Sequence, residues 1–250
     1  MRIVAVQNYA ETGLGQIARA LAEAQAEVEI VRAHEGETLP SLADGHDGLI
    51  VLGGAQNALA DDEHPHLPGL VALMRDFALA DRAVLGVCLG SQLLARAFGA
   101  QNLIGAAPEF GWREVALTEA GATDPVLRAA PERFPIFQWH DDTFTLPDGA
   151  VRLAGNEAAR NQAFRVGRAA YGIQFHFEAD TPLVRQWSTA FAAHLADRQP
   201  GWAERLDLEA QRHGPLADAT GLALARAWVD AVRGGDAQLR RDGGGTKSLP

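Results

Sequence analysis

Residues 84–99 read "VLGVCLGSQLLARAFG", an apolar run that meets a glycine, a cysteine and a second glycine before helical spacing sets in. "RAVLGV" (82–87) has the nearly continuous apolar character of a strand buried on both faces. "SQLLARAF" (91–98) reads as a helix, closed by Gly99 just past its C-terminus. Cys88, the sole cysteine of the chain, sits at the junction. One reading makes it a small core hydrophobe, the common fate of a free cysteine. The other takes Gly86-Val87-Cys88-Leu89-Gly90 as Gly-x-nucleophile-x-Gly, a tight strand-to-helix turn that exposes the middle side chain and leaves room only for Gly beside it. A thiol at that place feels the positive end of the helix dipole. The free N–H of Leu89 points the same way, ready to stabilise an oxyanion.

Outward from this junction the first hundred residues alternate strand and helix. "RIVAV" (2–6), "EVEIV" (27–31) and "DGLIVLGG" (47–54) are strand-like, while "GLGQIARALAEAQA" (13–26) and "LPGLVALMRDFALA" (67–80) carry apolar residues at helical spacing. Such alternation predicts an α/β fold with a mostly parallel central sheet and helices on both faces. From about residue 100 the pattern changes. Strands are expected at 113–118, 134–139, 151–155, 161–167 and 169–177, close together with turn residues between them. They form an antiparallel extension, or a second small sheet, joined to the parallel core. A helix over 181–196 follows, with Thr181 as N-cap and Pro182 at its first position. Two helical patterns, 203–213 and 216–233, precede a Gly-rich end expected to fray. The predicted organisation is one domain over 1–197 and a C-terminal helical extension over 198–250.

Composition narrows the function classes. The chain has 250 residues, 47% of them hydrophobic, enough for a sizeable core. A net charge of −10 argues against nucleic-acid or anionic-membrane partners. A single cysteine excludes a disulfide framework and any Cys-rich metal site, and fits a reducing, cytoplasmic compartment. "MRIVAVQNYAETG" reads as a strand rather than a signal peptide, and no apolar run approaches the roughly 20 residues a membrane helix needs. No Walker-type loop and no Gly-x-Gly-x-x-Gly with a following acid is present, so no nucleotide and no other cofactor is expected.

A thiolate nucleophile needs a base, and the chain has eight histidines. His34, His46, His194 and His213 stand in polar or helical surroundings and read as solvated. "DDEHPH" (61–66) looks metal-like, yet Pro65 and Pro68 make it an ordinary polar loop, and no metal is expected. "QWHDDTF" (138–144) offers His140 beside Asp141 and Asp142 at a strand end. "YGIQFHFEAD" (171–180) is more pointed, since His176 and Glu178, two apart at the end of an apolar strand, project from one face. A carboxylate there can take the Nδ1 proton of the imidazole and leave Nε2 facing a nucleophile. The plainer alternative is a half-buried ion pair at a strand end. In "VLGGAQNA" (51–58) paired glycines after a strand let backbone approach a ligand, with the Gly54 N–H as a second oxyanion donor.

Taken in order, "LGGAQNA", "GVCLGSQLLARAFGA" and "GIQFHFEAD" resemble the class I, triad-type glutamine amidotransferases over roughly residues 45 to 195. "EFGWREVALTEAG", "DPVL" and "FPIFQWHDDTFTLPDGA" further resemble stand-alone proteins similar to the amidotransferase domain of GMP synthase. The resemblance implies Cys88 as nucleophile, His176 as base and then acid, and Glu178 as the orienting carboxylate. It implies an oxyanion hole from the N–H groups of Gly54 and Leu89, and substrate contacts from Gln92 and from the 138–142 segment, namely Gln138, Trp139, His140 and Asp142. Two positions depart from the family pattern: Phe177 and Ala55 stand where Pro is usual. Neither removes a catalytic atom, and both bear on turn stiffness. Three functions follow as expectations. The first is a glutaminase that hands ammonia to a separate synthetase. The second is a partner-independent γ-glutamyl hydrolase, and the third a non-catalytic binding module on the same fold.

Overall fold

A computed structural model describes residues 1–243, with side chains in the last helix described to residue 234. Residues 244–250, most of the Gly-rich end, lie outside the described residues. In chain order the elements are β1 (Arg2–Gln7), α1 (Gln16–Glu23), β2 (Glu27–Arg32), β3 (Gly48–Val51), α2 (Leu67–Leu79), β4 (Ala83–Val87) and α3 (Leu89–Ala97). Then come β5 (Asn102–Leu103), β6 (Glu109–Leu117), α4 (Glu119–Thr123), β7 (Arg133–His140), β8 (Thr143–Phe144), β9 (Val151–Gly155), β10 (Ala163–Val166) and β11 (Ala170–Ile173). Three helices follow: α5 (Thr181–Ala190), α6 (Ala192–Arg198) and α7 (Trp202–Gly243).

Nine strands form one sheet in the order β2-β1-β3-β4-β11-β10-β9-β6-β7. The first five are mutually parallel, and β11 pairs with β4 in parallel and with β10 in antiparallel register. The antiparallel strands therefore extend the parallel sheet, and among the described residues β5 and β8 form a separate ribbon.

Alternation along the central strands builds two cores. Ile3, Ala5, Ile50, Leu85 and Ile173 face α1, α5 and α7, meeting Ile17, Leu21, Val184, Trp187, Leu224 and Trp228. Val4, Val6, Leu49, Val51 and Val84 face α2 and α3, meeting Leu70, Met74, Phe77, Leu93 and Leu94. The period-2 pleat sends successive side chains to opposite faces, so both are apolar.

Three expectations need correction. The two C-terminal helical patterns are one helix, α7, with Pro215 inside it. Proline removes one backbone donor there, and the carbonyl four residues back belongs to Gln211, an exposed residue on the solvent side of the helix. Burial of Ala210 and Ala217, on either side of the proline, holds both halves on the core. The helix expected over 181–196 divides at Phe191 into α5 and α6, and its cap is Asp180 rather than Thr181, through a carboxylate that accepts the Leu183 N–H at 3.0 Å. Strand β11 ends at Ile173, so residues 174–180 run as an irregular turn above the sheet rather than as its last rung.

Candidate active site

The junction after β4 is shaped by its glycines. A Cβ on Gly86 would stand 2.3 Å from the Gly90 carbonyl oxygen, and one on Gly90 would stand 2.0 Å from that of Val51. Neither distance is compatible with a side chain, so both positions require glycine. Cys88 between them adopts φ 51° and ψ −109°, a conformation that costs a non-glycine residue about 1–3 kcal/mol. Its N–H is fixed by the Ile173 carbonyl at 2.9 Å, and its own carbonyl accepts the first bonds of α3, from Ser91 and Gln92 N–H. The N–H groups of Leu89 and Gly90 fall in the turn that has no partner within the helix.

The turn after β11 brings His176 to the sulfur. A Cβ on Gly53 would lie 3.5 Å from both Cys88 Cβ and His176 Cε1, so the cysteine and the imidazole flank the same glycine. His176 Nδ1 is 2.7 Å from Glu178 Oε1, and both side chains are buried. The shared face predicted for this pair comes from the turn, in which Phe177 N–H bonds the Phe175 carbonyl and Ala179 N–H the His176 carbonyl. Burial is the strongest single influence on His176 and opposes its charge, but the Glu178 carboxylate and then Cys88 together outweigh it. His176 is thereby held well above the usual histidine range. Trp187 lies edge-on to the imidazole with ring centroids 5.3 Å apart.

Across the cleft, Thr12 Oγ1 is placed to donate to the Gly53 carbonyl at 3.1 Å, a position it shares with the Tyr9 carbonyl at 2.9 Å. A trans peptide points its N–H opposite to its C=O, so this bond turns the Gly54 N–H away from Thr12. These groups open into a cavity of about 620 Å³ whose lining includes Gly54, Cys88, Leu89, Gln92, Trp139, His140, Asp142 and His176. Of the residues expected to contact substrate, Gln138 does not reach it. That side chain is fully buried and donates to Gln162 Oε1 at 3.0 Å, because the pleat of β7 turns it away from the wall formed by its neighbour Trp139. His140 Nδ1 is bonded to the Asp142 carbonyl at 2.9 Å, while its Nε2 stands 3.3 Å from Glu109 Oε2 without forming a hydrogen bond. Asp142 accepts the Gly105 N–H at 2.8 Å, and Gln92 donates to Gln174 at 3.2 Å.

Tyr9, Glu11, Thr12, Trp187 and Phe191 also line the cavity and belong to none of the motifs; they come from a loop after β1 and from the helical segment that follows the His176–Glu178 turn. The nearest available hint was the four-residue spacing of Trp187 and Phe191, which puts them on one side of adjoining helices. His46, expected in solvent, is buried with Nε2 on Glu29 at 2.9 Å. His194 belongs to the cavity rim. In the 61–66 loop Asp61 is bound by both terminal nitrogens of Arg96. Among the described residues no three His, Cys, Asp or Glu side chains converge to hold a metal ion, and no helix is long and apolar enough to cross a membrane.

Residues 6–184 match the family model of glutamine amidotransferase class-I. YfeJ of Salmonella typhimurium, a glutamine amidotransferase-like protein, is 34% identical over 171 residues, covering 67% of this chain and 72% of the relative. One subunit of the glutamine-hydrolysing GMP synthase of Thermoplasma volcanium is 33% identical over 164 residues, covering 65% of this chain and 76% of the relative. The crystal structure of a glutamine amidotransferase from Thermotoga maritima is similar at a TM-score of 0.80 and 28% identity, covering 91% of this chain and 98% of that one. A glutamine amidotransferase from Methylobacillus flagellatus gives 0.79 at 26%, covering 92% and 94%. With a family match that spans most of its length, the chain belongs to the class I glutamine amidotransferases.

Proposed function

We propose that this chain hydrolyses the side-chain amide of glutamine, or of a related γ-glutamyl amide, through a thioester on Cys88. The observation that carries the reading is the convergence, in one cavity wall, of a strained cysteine at a glycine-enforced elbow with a buried His–Glu pair at 2.7 Å. The imidazolium and the start of α3 place positive charge beside the sulfur, the setting in which cysteine works as thiolate. The sulfur attacks the amide carbon, and the carbonyl electrons move to an oxyanion that the N–H groups of Leu89 and Gly54 receive. The Thr12–Gly53 bond supports a hole formed before substrate arrives. His176 gives its proton to the departing nitrogen, the C–N bond breaks and ammonia leaves. Neutral His176 then takes a proton from water as its oxygen attacks the thioester. Collapse of that second oxyanion releases glutamate and the thiolate, and Glu178 keeps the ring in register through both steps.

Trp139, His140, Asp142 and Gln92 are the proposed substrate contacts. Gln138 acts behind the wall. The amidotransferase unit spans residues 1–197 and the remainder extends it; the setting is the cytoplasm, where the thiol stays reduced. A relative named as part of a multi-subunit GMP synthase supports delivery of the ammonia to a separate synthetase. A second reading, hydrolysis of larger γ-glutamyl conjugates without a partner, draws on the cavity itself, which lies within the about 300–1,000 Å³ of sites for drug-sized ligands. The test is ammonia and glutamate release from glutamine and from a panel of γ-glutamyl amides. Cys88→Ala should abolish turnover of every substrate with the circular dichroism spectrum unchanged. Unaltered turnover in that variant removes the assignment.

A further inference from the structure

The turn that carries His176 and Glu178 has no glycine of its own and leaves the sheet at Ile173. Its rigidity must come from outside. Two of its carbonyls are held from α1: the Gln16 backbone N–H donates to the Glu178 carbonyl at 2.8 Å, and Gln16 Nε2 donates to that of Phe177 at 3.3 Å. The other side is held by α7. Asp218 Oδ1 accepts both the Thr181 N–H (2.9 Å) and the Thr181 hydroxyl (3.1 Å), immediately after the turn. A Cβ on Gly221 would stand 2.2 Å from the Phe177 carbonyl oxygen and 2.6 Å from Gln16 Nε2. One on Gly214 would stand 2.4 Å from Thr181 Oγ1.

Positions 214, 218 and 221 are four and three apart, so they form one stripe along the helix. Glycine is the poorest helix former after proline, and in this stripe it lets α7 touch backbone. Gly234 on the same helix has open space where its Cβ would be. The contrast separates a helix that merely covers a core from one fitted against a particular segment.

We propose that α7 is a brace for the catalytic turn, with Asp218 and Gly221 as positioning residues that hold His176 and Glu178 at their working distance from Cys88. The inference rests on the reading of His176 and Glu178 as base and orienting acid. It assigns the orientation of that pair to a helix lying beyond the residues that match the family model.

The test uses the full chain labelled with 15N-histidine, and follows both the His176 Nδ1–H resonance and the kinetics of L-glutamine hydrolysis. Asp218→Ala and Gly221→Ala should each shift or broaden the resonance and lower kcat by at least roughly tenfold with KM within about twofold, as small misplacements of catalytic groups do. Asp218→Asn, which keeps the Oδ1 acceptor, should recover most of the rate, and Gly234→Ala should leave both readouts at the wild-type value. If Gly221→Ala does not fold, the Asp218 pair decides. An unmoved resonance in Asp218→Ala overturns the brace, as does a loss confined to KM. A resonance that moves in a chain whose wild type releases no ammonia supports the brace and sinks the glutaminase reading instead.

Discussion

The elbow at 86–90 and the turn at 174–181 solve the same problem in opposite ways. Under the proposed mechanism each must hold one reactive side chain still at the end of a parallel strand. The elbow does so with glycines in its own sequence. They let it close on itself, where a Gly86 Cβ would stand 2.3 Å from the Gly90 carbonyl oxygen, and seat on β3, where a Gly90 Cβ would stand 2.0 Å from that of Val51. The turn has no such device and borrows stiffness from Gln16, 162 residues away from Glu178 in sequence, and from Asp218 and Gly221 on the far side. The first kind of rigidity is written locally. The second exists only when the chain is folded.

The comparison can be broken most severely at the elbow. Gly90→Ala drives a methyl into the Val51 carbonyl and has nowhere to relax, because strand β3 is fully buried on both faces. We expect a loss of about 3 kcal/mol, the upper end of the overpacking range, seen as a fall in the thermal midpoint and in soluble yield. A variant that folds with a wild-type midpoint would show that the elbow can relax after all.

Glu178→Gln probes the turn. It keeps the shape but removes the charge that raises His176, and kcat should drop by about 10²–10⁴-fold, as when the orienting acid of a triad is neutralised. The sign of its pH effect follows. His176 is raised in the folded chain, so the ion pair stabilises fully below the unfolded histidine value of about 6.5 and fades as pH rises through the raised value. The stability gap between wild type and Glu178→Gln should therefore be widest near pH 6 and close at alkaline pH. A gap that widens with alkalinity would contradict the pairing.

Thr12→Val sharpens the comparison most gently. It removes the hydroxyl bond to Gly53 and frees the neighbouring peptide to rotate. A kcat reduced roughly tenfold, a fraction of the about 10²–10³-fold that loss of an oxyanion donor costs, is the expected outcome. No change would mean the Gly54 N–H is oriented by something other than Thr12.

The same division explains what could be read before the chain was seen folded. The parallel half was legible because its strands are apolar on both faces and its helices keep a 3.6 period. The elbow was legible because two glycines flank a lone cysteine. His176 and Glu178 were named from a spacing argument whose premise, a strand, does not hold; the turn delivers the same juxtaposition by other bonds. Gln138 could not be separated from Trp139, because which side of β7 meets the cavity depends on how the sheet sits against α5. Thr12 had no local mark, and Trp187 only its four-residue spacing from Phe191. The continuity of α7 through Pro215 was hidden for a similar reason: a propensity penalty at one residue was outweighed by burial on both sides of it.

One consequence of the lone cysteine concerns measurement. Because Cys88 is the single thiol in the chain and lines the cavity, a thiol-selective reagent that consumes one equivalent counts the chains whose cavity it can enter. The native chain is thus its own titration standard. Fluorophores or electrophiles can be installed at that sulfur without first removing competing cysteines, and the rate of that labelling becomes a direct gauge of how open the cavity is.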